Sequence, residues 1–533
     1  MTNQENSISN NLIYDACIVG SGMSGQIIAS TLAKNNKKVI IVESGKYTYD
    51  KITQNLNNFT STGLSLRNET NENYKNNIIR QFGGSANNWA NQIMFYRNID
   101  LENRKWVGQN LKWQISFDEL ESYYKKIIDM LYKDSLSDTI KNDKIIDKRY
   151  VSILDKEFLS NDDFNLTSSY HPEGIEKFNY KSKFSKKLIN NNNIKILTEA
   201  NVTNFIFNES KNNVNQIEFK TKNLTKKIRS KVFVLCAGAT ENAKILLNNS
   251  LHHNVLKNKS LGRFFMDHPR INIGQFKLNK KVNLSNLLGI KGKKLNFRKG
   301  LRFNEQVQEN NKILNSHIFI SPIFKDDDIK IFDKTLQKIK HLIQLKKVPL
   351  ADVKKFKLKQ FIEQLYFAPH KISNGYLNYL MNRYYILSNN KFSFNKLSVD
   401  YHGEQSPNFC SNVNLNKDKD INGQFNLNIN WELNQLDYKT IEFYSEKFSK
   451  ICNEFFTFKK NNNFLIFDQK HRIGTTRMGV NKEDGVVDLN CKVYGVNNLY
   501  VGGSSVFRTG SSTNPGITIM AMSLRLAEYL NKL

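Results

Sequence analysis

Three glycines in the run Gly20-Ser-Gly22-Met-Ser-Gly25, and a carboxylate 18 residues further on at Glu43, have the types and spacing to bind a dinucleotide. Gly20 permits a tight turn. Gly22 lets the backbone approach a pyrophosphate, and Gly25 lets a helix pack closely on a strand. Glu43 stands where a carboxylate accepts from ribose hydroxyls, which disfavours the 2′-phosphate of NADP but does not separate NAD from FAD. These residues work only if specific elements hold them. Ala16 to Val19 is a short apolar run, Gln26 to Lys34 reads as a helix, and Lys38-Val-Ile-Ile-Val42 reads as a second buried strand. The order is strand, glycine turn, helix, strand, acid. The start of such a helix offers unpaired N–H groups and a partial positive charge to phosphates. Cys17, inside the first strand, reads as a small core residue.

The remaining composition narrows the function class. The chain has 533 residues, 39% hydrophobic and 11% aromatic, enough for several domain-sized units with a large core. Lys+Arg 78 against Asp+Glu 49 gives a net charge of +29. The lysines are spread along the whole length among many Asn and Ile, so the charge is read as compositional and not as a nucleic-acid surface. No run approaches the ~18 apolar residues of a membrane span. Met1 to Asn11 is polar, which predicts no secretory signal. The five cysteines (17, 236, 410, 452, 491) form no CxxC or CxH pattern. Reduced thiols, a cytoplasmic location and no metal site follow as expectations.

Further motifs recur along the chain: Phe82-Gly-Gly-Ser-Ala-Asn-Asn-Trp89, Trp113 to Tyr124, Val234-Leu-Cys-Ala-Gly-Ala-Thr-Glu-Asn242, and Leu261-Gly-Arg-Phe-Phe-Met-Asp-His-Pro269. Near the end stand His471-Arg-Ile-Gly-Thr-Thr-Arg-Met-Gly479, Asn498 to Phe507 and Ser512-Thr-Asn-Pro-Gly-Ile-Thr-Ile-Met-Ala521. Together with the first glycine turn these resemble the glucose–methanol–choline (GMC) family of FAD-dependent oxidoreductases, closest to bacterial sugar and polyol dehydrogenases. The resemblance implies an α/β fold, a doubly wound Rossmann-like FAD-binding domain with an α+β substrate domain built on an antiparallel sheet. It implies that Gly20, Gly22, Gly25 and Glu43 hold the ADP half of FAD. Gly83, Gly84, Ser85 and Asn88 would hold the flavin half, with Ala237, Gly238, Gly503, Ser504, Asn514, Pro515 and Thr518 completing the cofactor site. Some members attach FAD through a His in the Gly-Gly segment. That position is Asn88 here, and an amide cannot make the bond, so non-covalent FAD is expected.

The resemblance places His471 as the catalytic base. Oxidising an alcohol requires removal of the hydroxyl proton as hydride leaves for flavin N5, and a neutral imidazole with a pKa of about 6.5 can take that proton. Asn514 matches the second catalytic position and would hydrogen-bond the substrate oxygen. Its other reading is a helix N-cap before Pro515, and the two roles are compatible. His268 reads as structural, with a substrate contact as the alternative. Arg508 stands where the family often has Pro. It reads either as a surface residue or as a fork for a substrate carboxylate or phosphate.

The expected organisation is FAD-binding over 10–115, a helical and loop insertion over 116–180, FAD-binding again over 181–263, substrate-binding over 264–465 and a C-terminal active-site part over 466–533. Phe117 to Leu131 reads as a helix. Phe425-Asn-Leu-Asn-Ile-Asn-Trp431 alternates with period two and reads as a half-buried strand. Glu404-Gln405-Ser-Pro407-Asn408, followed by Ser411 to Leu415, resembles the family's substrate-domain signature. Residues 328–383 carry apolar side chains at helical spacing with lysines on other faces. Two readings stand: helices capping the substrate domain, or a basic amphipathic surface resting on an anionic membrane. The expected activity is oxidation of a CH–OH group, most simply of a sugar or polyol, with quinone, cytochrome or oxygen as acceptor. A hydroxynitrile-lyase-type reaction and a non-catalytic flavin-fold scaffold are the alternatives.

Overall fold

The computed structural model describes residues 12–64, 78–89, 92–132, 164–172, 178–221, 224–283, 295–322, 393–455, 457–463 and 465–533. The basic 328–383 segment lies outside them. The chain opens on β1 (Ile13–Val19), α1 (Met23–Lys34) and β2 (Val39–Val42), followed by β3 (Phe59–Gly63) and α2 (Phe117–Tyr132). Then come β4 (Phe164–Pro172), β5 (Ile194–Leu197), β6 (Asn201–Phe207), β7 (Val214–Thr221), β8 (Leu224–Leu235) and α3 (Ala239–Ser250). The central part holds β9 (Arg270–Asn283), β10 (Leu295–Phe303), β11 (His317–Pro322), β12 (Ser393–His402), β13 (Asn412–Lys419) and β14 (Phe425–Trp431). The chain ends with α4 (Gln435–Phe455), β15 (Thr457–Lys460), β16 (Leu499–Val501) and α5 (Gly516–Leu530).

The first sheet is seven-stranded in the order β5-β2-β1-β8-β7-β6, with β16 also on β8. Strands β5, β2, β1, β8 and β16 pair in parallel, and β6 and β7 join antiparallel. All four residues of β2, Val-Ile-Ile-Val, are buried, as a parallel strand covered on both faces requires. Helices α1 and α5 pack together over this sheet, and α2 packs on α5. The sheet's C-terminal edge is where turns leave β1, β2 and β8, so ligand-binding loops gather there. The predicted strand–turn–helix–strand opening and the α2 helix are both present.

The second sheet is six-stranded and antiparallel, β15-β9-β12-β11-β10-β4. One face of it forms an apolar core with Ile271, Ile273, Leu301, Ile318, Leu397, Val399 and Tyr401, covered by Ile441, Tyr444 and Phe448 of α4. Residues alternate on a strand, so the opposite face carries His317, Phe319, Asp400 and His402. Strand β4 lies in the stretch read from sequence as helix and loop. It pairs with β10 from Phe164↔Phe303 to Pro172↔Leu295. A small third sheet, β13-β14-β3, includes the alternating strand at its expected residues, with burial alternating for most of its length.

Candidate active site

A cleft of about 240 Å³ opens at the C-terminal edge of the first sheet. Gly20, Gly22, Glu43, Gly84, Ser85, Ala237, Gly238, His471, Gly503, Ser504 and Pro515 all lie on its wall. The first glycine turn and the His471 segment, far apart in sequence, therefore face the same space.

The glycine turn is built for close approach. Gly20 has φ +103°, and a Cβ there would meet the Cys236 carbonyl oxygen at 2.6 Å. A Cβ at Gly25 would sit 2.0 Å from the Gly20 carbonyl oxygen. Gly25 thus supports the turn from behind and does not line the cleft. At Gly22 and Gly238 a Cβ would meet nothing within 4 Å. Three helices begin at the wall, α1 after Gly22, α3 after Gly238 and α5 after Pro515. None has a side chain capping its first N–H groups. Uncapped N-termini carry about half a positive charge each and offer donors to an anion. This donor set, with open space over Gly22 and Gly238, fits an extended dinucleotide.

Hydrogen bonds lock the wall segments together. Ser21 donates to Glu43 Oε2 from its backbone N–H at 3.0 Å and from its hydroxyl at 2.7 Å. Gly45 N–H donates to Glu43 Oε1 at 2.7 Å. Gly83 N–H donates to Ser21 Oγ at 3.1 Å, which ties the Gly-Gly segment to the first turn. Gly83 is therefore a brace behind the wall. Asn242 accepts from Ala237 N–H at 2.8 Å and donates to the Gly502 carbonyl at 3.1 Å and to Ser505 Oγ at 2.9 Å. This side chain joins the turn after β8 to the turn after β16. Sequence reading quoted Asn242 within a motif but gave it no role. Arg80 also lines the cleft and forms a buried ion pair with Glu241. No spacing around Arg80 marked it in the sequence.

Other expected residues lie off the wall. Asn88 is exposed at the end of a short 3-10 turn over Gly84–Asn88. Thr518 is fully buried, its hydroxyl 2.7 Å from the Tyr124 hydroxyl. Asn514 precedes the wall residue Pro515 and is partly exposed. Its Nδ2 donates to Gln92 Oε1 at 2.9 Å, and the helix start after it shows no side-chain cap. Arg508 is corrected on both readings. It is 1% exposed, neither a surface residue nor open to a ligand. Its guanidinium donates to the carbonyls of Met478 at 2.7 Å and Asn110 at 3.1 Å, and pairs with Asp484 at 2.7 Å. It staples three loops.

His471 sits on a segment that runs antiparallel to the stretch around His268. Single bridges at Met266↔Ile473 and Arg270↔Phe467 bracket the two histidines. Between the bridges a side chain replaces the ladder. Asp267 Oδ1 accepts the backbone N–H groups of His268 at 2.7 Å, His471 at 3.0 Å and Gln469 at 3.1 Å. Burial, then the neighbouring Asp468, pushes the Asp267 carboxyl up, while Arg472 and these N–H groups oppose the rise. The result places His268 Nδ1 3.1 Å from His471 Nδ1, with the rings edge-on at 70°. Burial lowers the His471 pKa to about 4, so the imidazole is neutral at neutral pH. His268 is also held well below the ordinary imidazole value, by burial first and then by His471 and His317.

Two more imidazoles stand close by. His317 pairs with His402 across β11 and β12, and their rings stack at 5.1 Å and 14°. Gln469 Nε2 lies 2.9 Å from His402 Nδ1. Sequence reading passed over both, because only strand register reveals that they meet. Among the described residues no group of three or more His, Cys, Asp or Glu could hold a metal ion, and no helix is long and apolar enough to cross a membrane. Cys17 is fully buried in β1, and burial pushes its thiol well up, in keeping with a core residue.

Two family models, both described as GMC oxidoreductase, match residues 15–270 and 407–523. The chain belongs to the GMC oxidoreductase family. This GMC family is one of FAD-binding flavoproteins. The chain is similar to the 2-methyl-1,2-propanediol dehydrogenase of Mycolicibacterium austroafricanum, 29% identical over 141 residues, 26% of each chain. It is also similar to the pyranose 2-oxidase of Lyophyllum shimeji, 42% identical over 60 residues, 11% of this chain and 10% of the other. The matched segments thus span about a quarter and a tenth of those relatives. In fold the GMC chain resembles pyridoxine 4-oxidase from Mesorbium loti, with a TM-score of 0.60 at 15% identity, covering 97% of this chain and 99% of that one. A variant of Aspergillus oryzae formate oxidase made to study FAD modification aligns with a TM-score of 0.54 at 17% identity, covering 98% of each chain.

Proposed function

We propose that this GMC protein is an FAD-dependent oxidoreductase that oxidises a CH–OH group of a sugar or polyol to a carbonyl. The observation that supports it most is a neutral imidazole, His471, on the wall of the cleft that the first glycine turn opens into. FAD, when bound, supplies the acceptor for the hydride that leaves the carbinol carbon. Residues at Gly20, Gly22, Glu43, Gly84, Ser85, Ala237, Gly238, Gly503, Ser504 and Pro515 would hold it, with Gly25, Gly83, Asn88, Asn514 and Thr518 supporting from behind or beside the wall.

The chain's own part is to orient and to move a proton. His471 takes the hydroxyl proton, which a neutral imidazole accepts readily at neutral pH. Asn514 carries two amide hydrogens and gives one to Gln92. In this reading the other serves a substrate oxygen from beside the wall. The polyol assignment draws on the propanediol dehydrogenase and pyranose oxidase relatives. The test is anaerobic titration of purified protein with a panel of sugars and polyols. Bleaching of the flavin absorbance by one or more of them is expected, and a flavin that stays yellow with every member removes the reading.

The cofactor is held without a covalent bond to the Gly-Gly segment, because Asn88 offers only an amide where some relatives of this fold carry an imidazole. Acid precipitation of the purified protein is expected to leave the yellow colour in the supernatant. Colour retained in the washed pellet would show another attachment point.

A further inference from the structure

We propose that His268 is the positioning residue for His471: its Nδ1 accepts the proton carried on His471 Nδ1, so that His471 Nε2 is the bare nitrogen available to the cleft. This rests on the reading of His471 as a base and deepens it. Two Nδ1 atoms 3.1 Å apart form a hydrogen bond only if one of them carries a proton. If His268 carried it, the neutral His471 would hold its proton on Nε2, and no lone pair would face the cleft. If His471 carries it, Nε2 is ready to accept. Once His471 has accepted a proton on Nε2, its Nδ1–H must still have an acceptor, and His268 Nδ1 is the atom in place.

The surroundings make His268 suited to this task. Its ring is 1% exposed; in the accepting tautomer its own proton sits on Nε2, for which the described residues offer no acceptor, and that desolvation is the cost of the arrangement. The titratable groups that act on it are His471 on the antiparallel segment and His317 on β11, with His402 stacked on His317; Asp267 on its own segment is in turn acted on by Asp468 and Arg472. His471 and His317 both disfavour a second positive charge, and burial does so most. His268 therefore stays neutral, so one of its two ring nitrogens carries no proton and is able to accept. The geometry is fixed by backbone, since Asp267 Oδ1 holds the N–H of both histidines and Gln405 Oε1 in turn holds the N–H of Asp267 at 2.9 Å. A neutral imidazole thus fills the orienting place that a buried carboxylate fills in the Ser-His-Asp arrangement.

The decisive measurement needs no substrate. Protein with bound flavin and ¹⁵N-labelled histidine is examined by long-range ¹H–¹⁵N correlation, and His471 is assigned by its loss in His471→Gln. The expected spectrum has the His471 proton on Nδ1. In His268→Leu that tautomer is expected to be lost, and in His268→Asn, whose amide oxygen can take the place of Nδ1, it is expected to be kept. A wild-type His471 protonated on Nε2, or a tautomer unchanged in His268→Leu, overturns the proposal. If His268→Leu does not fold, the wild-type and His268→Asn spectra still decide.

A second arm uses the polyol that best bleaches the wild-type flavin. His268→Leu is expected to slow flavin reduction on the order of 10²-fold without changing the substrate concentration at half-saturation. His268→Asn is expected to restore most of the rate. A fall in affinity with an unchanged rate would mean a substrate contact and would overturn the positioning role. If no polyol bleaches the wild-type flavin, the reading of the reaction fails, and the tautomer measurement still judges His268 by itself.

Discussion

His471→Ala is expected to retain its flavin and to reduce it with substrate ~10²–10⁴-fold more slowly than the wild type, the usual contribution of a positioned general base. The substitution removes the imidazole and little else. The backbone N–H of residue 471 still donates to Asp267 Oδ1, and the bridge at Met266↔Ile473 is made by backbone. Ser21, Glu43, Asn242 and the three uncapped helix starts are untouched, so cofactor retention should not change. The rate of flavin reduction against pH provides an independent check. Burial holds the His471 pKa near 4, so the base form dominates down to mildly acidic pH. The acid limb of the profile is expected at about pH 4, and the limb should vanish in His471→Ala. The same depression affects stability. An unfolded chain protonates its histidines at an ordinary pKa near 6.5, whereas folded His471 and His268 resist protonation. The unfolded state therefore binds more protons as pH falls from about 6.5 toward 4, and the apparent thermal midpoint should fall over that window. A rate unchanged in His471→Ala would end the proton-acceptor role.

What the sequence disclosed and what it withheld have physical reasons. The β1–α1–β2 opening is legible because it is local. Its glycines, its apolar runs and its acid lie within about thirty residues and their periods differ. The strand Phe425–Trp431 is legible for the same reason, since one face is buried and the alternation shows. Strand β4 leaves no such trace in a polar stretch. It is held by its backbone pairing with β10 at the edge of the second sheet. Arg508 was misread because an arginine in isolation looks like a surface or ligand residue. Only the carbonyls of Asn110 and Met478 and the carboxylate of Asp484, supplied by other loops, make its burial affordable. The partnership of His268 with His471 joins residues 203 positions apart, and the stack of His317 on His402 depends on strand register. Motif resemblance locates such residues singly and does not say which of them touch.

The Glu404-Gln405 pair shows how a sequence signature acts at a distance, and it carries the largest expected effect on stability. Arg104, in the loop after the short helix Asn98–Leu101, reaches Glu404 at the end of β12. Arg104 Nη1 donates to Glu404 Oε2 at 2.7 Å, and Nη2 pairs with Oε1. Both side chains are buried, at 3% and 0% exposure. Burial pushes the Glu404 carboxyl up, and Arg104 pulls the other way. Asn315 N–H adds a third bond to Oε2 at 2.9 Å. Glu404→Gln keeps the shape but leaves the guanidinium without its counter-charge in a site water does not reach. The expected cost is roughly 3–5 kcal/mol, the range for stranding one member of a buried pair. It would be read as a lowered thermal midpoint at fixed scan rate and fixed flavin content. The apolar double replacement Arg104→Met with Glu404→Leu should recover most of that loss, because the penalty arises from the unpaired charge and not from a missing attraction. The neighbouring Gln405 accepts from Asp267 N–H at 2.9 Å and from Trp431 Nε1 at 2.8 Å. Loosening this corner should therefore reach the Asp267 clamp and slow flavin reduction even where folding survives. A single change that leaves the unfolding free energy within ~1 kcal/mol of the wild type would show that the corner is solvated and that the pair contributes little to stability.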